Sequence, residues 1–319
     1  MRPRIYALWF FAAALVGAIG SASDVSWHFS RLFDEVSPPH LIAAGGFLIN
    51  LALIYWALVH VRVSGTERTG WRLNAFGAMI FVFAIPLDYL WHLLFGLDNT
   101  VWSPPHLLLF YSAAPITLGV LLAWLTRPTS RTYPGQALTF GICALFVSNT
   151  LFPLSQQDYA AVVTQALART GRMPWYVTPE LWAVAGGQAQ RLAEGHAPDW
   201  AYLVGSAALV GVSLGCGAMI IRTRWRAGPR WLASCSATLL ALAVLLFRLL
   251  MRGTLTLLAL PYSSITWWLV AAGAAIDLTY YVTTRIAPVV SLHSHGTYWR
   301  LLPPIAEGAL AACALYISI

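Results

Sequence analysis

Residues 71–92 read WRLNAFGAMIFVFAIPLDYLWH, and the chain continues through LLFGLDNTVW into SPPH at 103–106. No charge interrupts the run between Arg72 and Asp88. About 20 apolar residues are what a helix needs to cross hydrocarbon. A helix is also the form in which a single segment satisfies its own backbone polar groups there. The run ends on Asp88 and His92, four residues apart at the end of an apolar helix, where ionisable groups are costly. Apolar stretches of similar length occur at 5–22, 40–61, 71–92, 105–126, 136–153, 200–221, 231–250, 263–283 and 303–319. The expected fold is therefore all-α: a polytopic integral membrane bundle of about eight or nine transmembrane helices.

Composition agrees. Of 319 residues, 59% are hydrophobic and only 10% are charged, against about 25% charged in soluble domains. A soluble globular protein, a disordered chain and a nucleic-acid module with a dense basic surface are excluded, and membrane lipids are the expected surroundings. All the basic side chains are Arg, and they alternate between connections: Arg2 and Arg4, then Arg62, Arg68 and Arg72, then Arg127 and Arg131, then Arg222 to Arg230. By the positive-inside rule those connections face the cytoplasm. Segments 23–39 and 93–104 then face outside, which is the periplasm for a bacterial inner membrane. The long segment 154–199 falls on the same side, with a surface helix expected over QDYAAVVTQALARTGRM. The N-terminal MRPRIYALWFFAAALVGAIGSASD has the features of a signal peptide as well as of a span. The four Cys (143, 216, 235 and 313) read as small core residues.

The segment that closes span three has a counterpart after span one. Asp24-Val-Ser-Trp27-His28, five residues, Asp34, then Ser37-Pro38-Pro39-His40 matches Asp88-Tyr-Leu-Trp91-His92, five residues, Asp98, then Ser103-Pro104-Pro105-His106. Eight positions are identical, and the second copy has two extra residues before SPPH. Each copy joins the end of one span to the start of the next, so residues 1–126 read as duplicated hairpins. Residues 127–199 form a fifth span with its outer loop, and 200–319 the C-terminal spans.

Asp and His four apart share one helical face. Ser can cap the returning helix, and Pro is tolerated in its first turn. His then sits in that turn, so each hairpin gathers Asp, His and His at the outer boundary. One carboxylate with two imidazoles is a recurring ligand set for copper, iron or zinc, with positions left open. The expected metal ligands are Asp24, His28 and His40 in one copy and Asp88, His92 and His106 in the other, converging in one region. A hydrogen-bonded network without metal and bis-imidazole haem ligation are the other readings. Asp34 and Asp98 read as further ligands, as acceptors orienting an imidazole, or as turn residues. Trp27 and Trp91 fit an interfacial aromatic belt.

The paired Asp-x3-His…His patterns resemble the metal-site pattern of the C subunit of particulate methane and ammonia monooxygenases, over about residues 20–110. That subunit carries two such triads on consecutive membrane hairpins, the second with Asn in the Asp position. Here both copies have Asp, the SPPH element is not part of that pattern, and more spans follow the fourth. The resemblance implies a copper-dependent oxygenase acting on an apolar small molecule or lipid, with other membrane subunits or an electron donor as partners. Iron or zinc is the alternative metal. A zinc-dependent hydrolase and a non-enzymatic metal-binding or transport subunit are the competing functions. The second copy is expected to be the reactive one.

Further along, Arg248 and Arg252 need an anionic partner or headgroup, and Asp277 and Glu307 lie within spans. Pairing of such Arg and acid side chains is the expected packing device. A third, degenerate site built from Asp277 with His293 is the weaker reading. His60 and His196 read as surface residues. No P-loop, GxGxxG or HExxH is present, which counts against familiar nucleotide and metalloprotease chemistry.

Overall fold

The computed structural model describes residues 3–28, 31, 37–60, 63, 65–95, 103–152, 167, 170–173, 179, 199–224, 230–258 and 267–290. They are helical almost throughout, with no strand among them. The helices are α1 (Pro3–His28), α2 (Pro38–His60), α3 (Gly65–Phe95) and α4 (Pro104–Leu125), then α5 (Tyr133–Thr150) after a 3₁₀ turn at Pro128–Arg131. There follow α6 (Asp199–Arg224), α7 (Arg230–Ser234), α8 (Ser236–Leu257) and α9 (Trp268–Val290). Among the described residues, five helical segments are long and apolar enough to cross a membrane: Tyr6–His28, Pro38–His60, Gly65–Phe95, Pro104–Leu125 and Ser236–Leu257. Their outer faces are apolar, as in Phe76, Met79 and Phe83 of α3 at 54%, 64% and 68% exposure. Water would not tolerate so continuous an apolar face; lipid does. The expected span at 303–319, and most of 154–199 with its surface helix, lie outside the described residues.

The helices fall into two compact units. The first contains α1 to α4. Here α1 packs along α2 and α3 along α4, while α2 meets α3 and α1 meets α4. The paired helices approach until backbones touch. A Cβ added at Gly46 would stand 2.7 Å from the carbonyl oxygen of Ala13, and one at Gly77 would stand 2.8 Å from that of Ser112. These two contacts are equivalent: counting from the motif, Ala13 corresponds to Gly77 and Gly46 to Ser112. Both helix pairs therefore cross at one register, set by small residues that admit close contact in a medium offering little hydrophobic force between helices.

Between α2 and α3, Asn50 and Asn74 exchange side-chain hydrogen bonds of 3.3 and 3.4 Å, both buried. Each amide answers the other, so neither is left unpaired. Phe47 and Phe81 stack next to them at 4.3 Å between centroids. Seven residues beyond those rings, about 10 Å along each helix, stand His40 on α2 and Asp88 on α3. Both motif copies thus lie at the same end of this unit. At the other end Arg127 pairs with Glu67.

The second unit contains α5, α6, α7, α8 through Phe247, and α9. Asp277 of α9 is its polar centre. It accepts the Ala237 and Thr238 amides at 3.0 and 2.9 Å and the Thr238 hydroxyl at 2.6 Å. Arg222 donates to it at 2.5 Å and lies over the Tyr280 ring at 3.8 Å. Asp277 therefore caps the α8 N-terminus from another helix. The cap marks where the helix begins: the span expected at 231–250 is instead a short α7, a break at Cys235, and α8 from Ser236. Arg222, read from sequence as a loop cation, is the partner the buried acid needs; His293, the other member of the third site read from sequence, lies outside the described residues. Cys143 is buried as expected, whereas Cys235 at the break is exposed.

Replacing Gly46 by Val should overpack the α1–α2 contact at a cost of about 1–3 kcal/mol, read as a lower midpoint in thermal unfolding in detergent. Gly45→Ala, where an added Cβ meets nothing within 4 Å, should leave the midpoint unchanged. Asp277→Ala should destabilise the protein by about 3–5 kcal/mol, because Arg222 would stay buried without its carboxylate; Arg222→Met with Asp277→Leu should recover most of that loss.

Candidate metal centre

Local sequence builds each half of the motif. Apolar α1 and α3 carry Asp and His one turn apart, near the end of the helix. The chain then returns through Ser-Pro-Pro, and Pro38 and Pro104 are the first residues of α2 and α4. The Ser37 and Ser103 carbonyls accept the first helical bonds, from Leu41 and Leu107 at 3.2 and 2.9 Å. His40 and His106 thus fall in the first turn, facing the Asp of the preceding helix.

In the first copy His28 Nε2 is 3.5 Å from Asp24 Oδ1, and His40 Nε2 is 3.0 Å from Asp24 Oδ2. In the second, His92 Nε2 is 3.6 Å from Asp88 Oδ2, and His106 Nε2 is 3.2 Å from Asp88 Oδ1. Within each triad one donor atom from every residue lies within 4.8 Å of the others. Metal–ligand bonds of 2.0–2.2 Å in a tetrahedral shell put neighbouring donors about 3.3–3.6 Å apart. The separations of 3.5 and 3.6 Å match that edge, and those of 3.0 and 3.2 Å fall short of it by a few tenths of an ångström. Both triads have the donors and the spacing to hold a metal ion. The six donors form two sets of three, each closed within its own hairpin, rather than one common cluster. Asp34 and Asp98 lie outside the described residues, as do His293 and Glu307.

The copies differ in what surrounds them. Ser37 donates to Asp24 Oδ1 at 3.0 Å and accepts the His40 amide at 3.1 Å. Ser103, equally buried, makes no side-chain cap, and its hydroxyl has no hydrogen-bond partner. Asp88 Oδ1 is also buried without a hydrogen bond, although His106 Nε2 stands 3.2 Å away. The second triad is also the more sheltered, with the His106 side chain 20% exposed against 43% for His40.

The walls diverge further. Trp27 carries the Arg31 guanidinium over its ring at 4.1 Å. At the matching position Trp91 meets Phe95, with centroids 4.4 Å apart. Beside the second triad an apolar groove of about 170 Å³ is lined by Leu90, Trp91, Leu94, Phe95, Pro105 and Leu108, among others. Sequence patterning marked both Trp as belt residues and did not register this groove. The signal was there in the comparison of copies, since Leu87, Leu90, Leu94 and Phe95 replace Ser23, Ser26, Ser30 and Arg31.

No protein-family model, no curated protein and no solved structure matches this chain.

Metal analysis by mass spectrometry should find two equivalents per chain after loading. His28→Ala should leave one, and His92→Ala should leave one. If either change removed both equivalents, the two triads would be one shared site.

Proposed function

We propose that this chain is a membrane metalloprotein whose two Asp–His–His triads bind copper, and that it works as an oxidoreductase on an apolar or lipid substrate. The observation that carries the reading is the second triad: three donors at coordination spacing, with a buried carboxylate oxygen lacking a hydrogen bond beside His106. A purely hydrogen-bonded network would be expected to satisfy that oxygen, because leaving a buried acceptor unmet costs about 1–3 kcal/mol. The resemblance of residues 20–110 to the monooxygenase C subunit supports copper over iron or zinc. The internal repeat supports reading the two hairpins as a duplication, the apolar stretches support a bundle of eight or nine spans, and the alternation of Arg supports placing the triads on the periplasmic side of a bacterial inner membrane. Copper bound there would supply one-electron and oxygen chemistry.

The protein's own residues do the rest. Asp88, His92 and His106 fix the donor geometry and leave positions open. Leu90, Leu94 and Phe95 keep the adjacent space dry and admit an apolar group. His106 is further screened by Phe110, at 6.2 Å between ring centroids, where the first copy has Ala44. The first triad, tied by Ser37 and edged by Arg31, suits a structural or electron-relay metal. A hydrolase would need a base beside the metal, and the candidates for it, Asp34 and Asp98, lie outside the described residues. A transport path is disfavoured. Between Asn50–Asn74 and the triads, α2 and α3 meet through Phe47 and Phe81.

Copper-loaded protein should show a copper spectroscopic signal that chelation removes and copper, but not zinc, restores. Oxidation of a membrane-dissolved alkane or lipid by protein supplied with oxygen and an artificial reductant should follow the same pattern. His92→Ala or His106→Ala should abolish it, and His28→Ala should reduce it less. Activity restored by zinc alone would instead establish the hydrolase.

A further inference from the structure

Close in the chain to the residues that line the apolar groove next to the second triad are two buried polar atoms that make no hydrogen bond. Ser103 is 4% exposed, and its hydroxyl, able to donate once and accept twice, makes no hydrogen bond. Asp88 Oδ1 is likewise buried and without one. Pro104 and Pro105, which follow Ser103 directly, line the groove, and so does Trp91, the neighbour of His92. The first copy is an internal control, since it has neither feature. Ser37 is committed to Asp24 and to the His40 amide, and Ser23, Ser26 and Arg31 occupy the positions of Leu87, Leu90 and Phe95. One hairpin keeps its serine for itself and has a polar wall; the other leaves the serine open and has an apolar wall.

We propose that the second hairpin is a binding place for a short alkyl chain ending in a hydroxyl, its oxygen meeting Ser103 beside Asp88 and its chain lying in the groove. The assignment deepens the metal reading of the same site and takes from it the metal that stands beside the hydroxyl. A neutral hydroxyl fits because it both donates to and accepts from the two open groups. An alkane offers them nothing, and a carboxylate would place a second negative charge beside Asp88. The groove's volume of about 170 Å³ is close to that of an engineered cavity of about 150 Å³ that takes benzene, so the chain has roughly six carbons.

The test uses the full chain in detergent with 6-bromohexan-1-ol and 1-bromohexane as quenchers of Trp91 fluorescence. Signal is taken as the difference from Trp91→Phe, at equal mole fraction in the detergent phase. The alcohol should half-saturate at a concentration about fivefold or more below that of the bromoalkane, as one net hydrogen bond implies. Ser103→Ala should remove that preference and keep the bromoalkane signal. Leu94→Ser with Phe95→Arg, the residues of the first copy, should abolish both signals. Equal quenching by alcohol and alkane, or a preference unaffected by Ser103→Ala, would overturn the proposal. Metal content is read in the same samples. Metal-loaded protein without the preference sinks this proposal alone; a preference retained in protein that takes up no metal at Asp88, His92 and His106 sinks the metal reading and leaves this one standing.

Discussion

Close backbone contact within each helix pair is the constraint on which the rest of the first unit depends. Lipid gives helices little reason to associate by burying apolar area, so they associate where small residues let main chains approach. Ala13 against Gly46 and Gly77 against Ser112 supply that approach at matching levels. Once the crossing is fixed there, the helical rise carries Asp24 to His40 and Asp88 to His106 without further adjustment. Triad geometry is thus a consequence of packing two or three turns away. A side chain forced into the crossing would be felt as a misplaced ligand.

The second unit meets a different problem with the same economy. An acid inside an apolar helix is expensive, and Asp277 is tolerated because a guanidinium, two amides and a hydroxyl converge on it. Those amides belong to the first turn of α8, where the helix itself offers unpaired N–H groups and a partial positive charge. Asp277 is saturated and structural. Asp88 differs in having one buried oxygen without a hydrogen bond.

The two hairpins are alike in their Asp, His and His and unlike in their surroundings. Both copies have Asp, His and His at the matching positions, while the wall positions are Ser and Arg in the first copy and Leu and Phe in the second. The i,i+4 partner of the motif Trp shows the change most directly: Arg31 on Trp27 in one copy, Phe95 on Trp91 in the other. In a low-dielectric setting such a change alters both which molecules can approach and how strongly the metal would be felt by them.

From the sequence alone one could read the all-helical membrane class, the hairpin repeat and the six metal-ligand candidates, because hydropathy, the Asp-x3-His period and the SPPH signature are local properties of the chain. The same reading placed both copies on one side, from the alternation of Arg. Local pattern did not reveal that Ser37 closes on Asp24 while Ser103 stays open, since both copies spell the same SPPH. Nor did it reveal the Arg222–Asp277 cap that starts α8 at Ser236, or the closure of each triad on itself. Those depend on which helices lie side by side and at what register. Register is settled by contacts between residues far apart in the chain, which no single segment records.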